Sequence, residues 1–286
     1  MPIDPDNLLN WPFEPVEQSY TTNDTILYAL GLGVGSSPLA AEDLRFTFEE
    51  AESFAALPFM AVVLGTPGFW VRDPASGVTW QKVLHGEQGV EWHGAVPAEG
   101  TVVAQNRVTQ VIDKGADKGA LLYIEREITD KATGQLVATT TSTTFARADG
   151  GFGGSSGPLK SVHQIPDRAP DKVVETPTLP QAALIYRLSG DPNPLHASPE
   201  VAAQAGFKAP ILHGLCSFGV AGVAVLRECC GSDPARLKSF GLRFSSPVYP
   251  GETIATEIWE DGDTVSFRAR VDDRVVLNNG YARIVE

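Results

Sequence analysis

Between Asp191 and His196 the chain places a carboxylate, a carboxamide and an imidazole in one short stretch, Asp191-Pro192-Asn193-Pro194-Leu195-His196. A carboxylate and an imidazole held together can pass a proton in either direction, and an amide beside them can help hold a small molecule such as water. Pro192 and Pro194 fix their own φ and push Asp191 and Asn193 towards extended backbone, so the stretch loses little conformational freedom when it orders. Rigid placement of polar groups is what a reactive centre needs. The competing reading is a surface turn between a strand, Ala183 to Leu188, and a helix beginning near Ser198, whose Ser-Pro start is a good cap. An isolated Asp-Pro or Asn-Pro would suit that reading. The whole string, with His196 at a fixed offset and an apolar run downstream, points to chemistry.

Elements on either side must position these groups. Ile211 to Cys230 is apolar on nearly every face and ends at Gly231, which predicts a helix enclosed by a sheet. Gly214 lies at its start, where free backbone N–H groups and the helix dipole favour negative charge. Gly219 and Gly222 read as close-packing positions. His213 reads as a residue satisfying nearby polar groups and stays outside the catalytic set, while His85, His93 and His163 read as solvated or structural. The segment Gly89-Val90-Glu91-Trp92 through Val96 to Thr101-Val102 matches, without a gap, Gly241-Leu242-Arg243-Phe244 through Val248 to Thr253-Ile254. That match predicts a duplicated fold. β-Branched and aromatic runs follow each copy, at 101–112, 120–128 and 136–145 and again at 253–259, 264–271 and 275–284, so each half is expected to end in an antiparallel meander.

A Gly/Pro-rich break from Ala148 to Pro170 divides the halves, giving expected units 1–148, a linker 149–175, and 176–286. In the first half the place of the apolar helix falls to the shorter run Leu57 to Gly65. Setting Tyr28-Ala29-Leu30 against Tyr186-Arg187-Leu188 puts Gly33, Gly35 and Pro38 opposite Asp191, Asn193 and His196, so the first half has no acid–base pair.

The formal charge of −13, from 22 Lys and Arg against 35 Asp and Glu in 286 residues, argues against nucleic acid as a partner. Three cysteines, Cys216, Cys229 and Cys230, form no Cys-x-x-Cys pair, so neither a disulfide framework nor a zinc site is expected and a reducing compartment fits. Residues 1–11 lack the pattern of an export signal, Ile211 to Leu226 is too short for a membrane span, and Arg283 to Glu286 carries no Ser-Lys-Leu address. The expectation is a cytoplasmic protein with no membrane partner.

The string from Tyr186 to Ala202 resembles the signature of the (R)-specific enoyl-CoA hydratases, the MaoC-like group that includes the hydratase domain of peroxisomal multifunctional enzymes. Tyr186, Leu188, Ser189, Gly190-Asp191, Asn193-Pro194, Leu195, His196 and Ala202 match each of its elements. Val83 to Gln88, Gly150 to Gly154, Ile211 to Leu215 and Pro247 to Glu252 are similar to further stretches of the two-repeat members. The resemblance implies an α+β double hot-dog fold, two antiparallel sheets each wrapping a helix, with a degenerate first repeat that accommodates the acyl chain. It implies reversible hydration of trans-2-enoyl-CoA to (3R)-hydroxyacyl-CoA without a cofactor or metal, with Asp191, His196 and Asn193 holding a water and the Gly214 N–H as oxyanion donor. Lys208 and Arg243 lie near the segments that would meet coenzyme A phosphates, against the reading that each is simply solvated. Rival expectations are dehydration of hydroxyacyl groups on a carrier protein and a non-catalytic acyl-binding scaffold. Leu57 to Leu64 could line an acyl tunnel or be core. A homodimer can form through the sheet edge or face that the fold exposes.

Overall fold

Runs in which apolar and polar residues alternate become strands once one face is covered, and among the described residues ten strands form. The computed structural model describes residues 2–37 and 39–285, so Pro38, set opposite His196 above, lies outside the described residues. The strands are β1 (Val16–Tyr20), β2 (Val83–Trp92), β3 (Gly100–Asp113), β4 (Ala120–Asp130), β5 (Leu136–Ala146), β6 (Lys172–Pro177), β7 (Leu237–Phe244), β8 (Thr253–Asp261), β9 (Thr264–Val271) and β10 (Arg274–Ile284). The helices are α1 (Pro5–Leu9), α2 (Thr22–Gly31), α3 (Leu44–Thr47), α4 (Ala182–Tyr186), α5 (Pro199–Gln204) and α6 (Gly214–Cys230), joined by several 3-10 turns. Among the described residues no helix is long and apolar enough to cross a membrane.

Strand order is β1-β3-β4-β5-β2-β7-β10-β9-β8-β6. Read outward from the β2–β7 junction, the two halves have the same connectivity, each with its three-strand meander. The duplication is therefore real at the level of topology. The two expected sheets are, however, one continuous antiparallel sheet, because β2 and β7 pair edge to edge with Gly89 opposite Gly241. Both glycines are needed for close approach: a Cβ at Gly89 would lie 2.7 Å from Thr141 Oγ1, and one at Gly241 2.7 Å from the Tyr281 ring. Joining the halves this way also covers two strand edges that would otherwise invite aggregation.

α6 is the enclosed rod anticipated from its apolar composition, and it stops at Gly231, whose φ of 60° is left-handed. Its two small positions are occupied by the other half of the molecule. A Cβ at Gly219 would meet Leu32 at 2.6 Å, and one at Gly222 would meet the Phe59 ring at 2.5 Å. Phe59 belongs to the run Leu57 to Leu64, which is buried throughout and forms a 3-10 turn (Pro58–Val62) where the second half has its long helix. Its ring meets Trp92, Phe218 and Phe240 edge-on, so the core spans both repeats.

The expected strand Ala183 to Leu188 is instead α4, continued by a 3-10 turn over Arg187–Ser189. Ala182, Ala183 and Tyr186 are buried while Leu184 is exposed, a helical spacing that a short apolar run does not distinguish from a strand. α4 packs on its counterpart α2, whose start is fixed by a capping box between Thr21 and Asp24. The connection between the halves is anchored at both ends. Asp113 accepts from the N–H groups of Gly151 and Gly153 at 2.7 and 2.8 Å, and His163 meets Ser266 Oγ at 2.8 Å. β6 takes the last residues of the stretch read as linker.

Candidate functional site

The 3-10 turn over Arg187–Ser189 ends at Gly190, whose φ of 115° is open to glycine, and the Asp191 loop follows. Asp191 Oδ1 accepts the Asn193 N–H at 3.1 Å, and Asn193 Oδ1 accepts the Leu195 N–H at 3.1 Å to cap a 3-10 turn over Pro194–His196. The two prolines thus leave the side chains of Asp191 and Asn193 to brace the loop. Ser198 then caps α5, accepting from Val201 N–H as its Ser-Pro start predicts.

The segment in front of α6 receives this loop. Leu212 N–H donates to Val248 carbonyl at 2.7 Å, which holds the segment on the Pro247–Glu252 turn. His196 Nδ1 lies 2.8 Å from the Ile211 carbonyl, and His213 Nε2 lies 3.2 Å from the Asp191 carbonyl. A carbonyl only accepts, so each of these nitrogens carries its hydrogen. In the neutral ring His196 Nε2 is then a lone-pair acceptor, a base. His196 is 8% exposed and His213 1%. Burial lowers the pKa of His196, against the opposing pull of the Ile211 carbonyl and Asp191. His213 is lowered by burial and then by its neighbour His196. Both rings are therefore neutral near pH 7.

Asp191, His196 and His213 offer ligating atoms that all lie within 4.8 Å of one another. That is the span one water bridges with two ordinary hydrogen bonds. The same three groups are a weaker match for a metal: the imidazoles are stacked, with centroids 3.7 Å apart and planes inclined by 28°, so their in-plane lone pairs run side by side instead of converging. Gly214 is the first residue of α6, and neither its N–H nor that of Leu215 is taken by the backbone; the first N–H groups used are those of Cys216 and Ser217, which donate to His213 carbonyl.

The structure brings Asp191 and His196 together, and His213, the residue before Gly214, stacks on His196. Asn193 is exposed, with its oxygen committed to the cap. Lys208 is exposed, its Nζ 4.4 Å above the Tyr249 ring, and Arg243 pairs with Glu87 across the β2–β7 junction, so the charge of Arg243 is already met. Sequence reasoning set His213 aside, yet its ring belongs to the cluster; its position one residue before the helix start was the available signal. His85 also has a partner, since its ring packs at 4.8 Å on Phe244, the residue that a Cβ at Gly214 would touch at 3.1 Å. The first repeat thus reaches the site through β2. His93 bonds Thr139 Oγ1 and stays structural, as does His163.

Comparison with known proteins bears on the family of the chain. Residues 161–279 match the MaoC like domain, and residues 18–148 the MFE-2 hydratase 2 N-terminal domain. The probable enoyl-CoA hydratase 2 of Dictyostelium discoideum is 40% identical, over 99% of this chain and 97% of that protein. The 3-hydroxyacyl-thioester dehydratase Y of Mycobacterium tuberculosis is 41% identical, over 100% of this chain and 99% of its own. The crystal structure of a MaoC-like dehydratase from Phytophthora capsici superposes with a TM-score of 0.86 at 38% identity, covering 98% of both chains. The full-length peroxisomal multifunctional enzyme type 2 of Drosophila melanogaster gives 0.81 at 36% identity, covering 95% of this chain and 48% of that one. Both repeats, in their order and over nearly their whole length, place the chain in the MaoC-like enoyl-CoA hydratase 2 family.

Proposed function

We propose that this protein adds water reversibly across the double bond of trans-2-enoyl-CoA to give (3R)-hydroxyacyl-CoA. One observation carries the reading: a carboxylate and a neutral imidazole base lie within one water's reach of each other, at the open N–H end of a buried helix. Water held between Asp191 and His196 Nε2 gives up a proton to one of them as its oxygen bonds to C3. The electron pair of the double bond moves towards the thioester oxygen, where the Gly214 N–H and the α6 dipole stabilise the negative charge. The pair then returns a proton to C2. Atoms and electrons balance without an oxidant, so no cofactor is required. The free donor of the Asn193 amide completes the water's shell. The (3R) configuration rests on family membership.

Lys208 is the better candidate for a coenzyme A phosphate, because Arg243 is already paired. A cytoplasmic location fits three free cysteines, and a homodimer fits the exposed edges β1 and β6; a solution mass of twice 30.5 kDa is expected. The test of the function is loss of enone absorbance with a short and a long enoyl-CoA. No turnover of either, or full activity after Asp191→Ala, sinks the reading. Dehydration of a carrier-bound hydroxyacyl group is the same chemistry on another handle, and the name of the M. tuberculosis relative favours keeping it as the second reading. Matched coenzyme A and carrier substrates separate the two.

A further inference from the structure

Four rings stand in file from the first repeat to the base: Tyr28 on α2, Tyr186 on α4, then His213 and His196, with successive centroid separations of 5.8, 5.1 and 3.7 Å. All four are buried. His213 is the one that touches each part of the site. Its ring lies on His196, its Nε2–H reaches the Asp191 carbonyl, and its own backbone precedes Gly214. A residue that only filled this space would be apolar, whereas His213 also leaves Nδ1 buried without a protein partner.

We infer that His213 is the positioning residue of this site, holding the His196 ring by stacking and the Asp191 backbone by its Nε2–H, and so fixing both against Gly214. The inference rests on the reading of Asp191 and His196 as the acid–base pair. His213 acts in its neutral form. The groups facing it are His196 and Asp191 on the catalytic loop and Tyr186 and Arg187 next to it; burial and the first of these oppose its protonation, while Asp191 favours it. A charged His213 would set two cations face to face whenever His196 took up the water's proton.

Two substitutions divide the role. His213→Gln keeps a donor in reach of the Asp191 carbonyl and loses the ring, whereas His213→Phe keeps the ring face and loses the donor. With an enoyl-CoA substrate, each is expected to lower kcat roughly 10- to 100-fold while leaving KM within about threefold, the pattern of misplaced reacting groups. In the Gln variant the acid limb of kcat/KM should move to higher pH, because His196 gains solvent; in the Phe variant it should stay. A kcat within about twofold of the parent for both variants, or an acid limb that moves alike in both, overturns the role. If neither variant folds, imidazole nitrogen NMR of the unaltered protein decides. His213 should be neutral, with its hydrogen on Nε2, from about pH 8 to about pH 5, and titration near the ordinary value of about 6.5 would overturn the role. An unaltered protein with no hydratase activity would instead overturn the reading of the site, and this role with it.

Discussion

At the scale of single residues the site is a matter of which nitrogen holds a hydrogen. The Ile211 carbonyl settles that for His196, so the imidazole side of the pair is competent as a base only while unprotonated. Activity is therefore expected to be flat at neutral pH and to fall as pH drops through the His196 pKa, which burial sets below the ordinary value of about 6.5. A kcat/KM profile checks this, and an acid limb above about pH 6.5 would contradict it. His196→Gln and Asp191→Asn are each expected to reduce kcat about 100- to 10,000-fold with the fold intact, read by single-turnover kinetics beside far-ultraviolet circular dichroism. The same shifts bear on stability. Both histidines have folded pKa values below their unfolded ones, so their contribution is complete above about pH 6.5 and is lost as pH falls towards the folded values. The meeting of Asp191 and His196 was legible because their spacing is local, whereas Asn193, in the same run, is exposed with its oxygen on the cap. His213 was not, because its partners are the Asp191 carbonyl and the His196 ring, contacts that exist only after the chain has folded back.

At the scale of elements, strands were the most legible part. Their alternation survives in the structure almost to the residue: the run 264–271 is β9, and 101–112 lies inside β3. α4 was misread because a six-residue apolar run has no decisive period, and what makes it helical is its packing against α2. The 3-10 turn over Pro58–Val62 carries a sharper expectation. Phe59 fills the space beside Gly222, so Phe59→Ala should destabilise the protein by about 3–5 kcal/mol. Gly222→Val should be destabilising for the opposite reason, overpacking, by about 1–3 kcal/mol or more. Urea unfolding of the two variants measures both; a Gly222→Val protein as stable as the parent would mean that Phe59 swings aside freely.

At the scale of the whole molecule, the duplication was readable from the Gly89 and Gly241 segments, but the fusion of two sheets into one was not. Sequence similarity says that two units share a shape and is silent on which edges meet. The structure supplies the answer and a consequence: α6 of the second half is packed by Leu32 and Phe59 of the first. A fragment of residues 149–286 should therefore lack a cooperative thermal transition, while the full chain unfolds in one step; calorimetry of both distinguishes this from two independent domains. The facing glycines at the seam say something about heredity. A strand that meets a copy of itself across a two-fold axis obliges every substitution to be acceptable twice. Covalent joining lifts that obligation, and each half is free to vary on its own. Selection can then reshape what the protein accepts while leaving the turnover machinery alone.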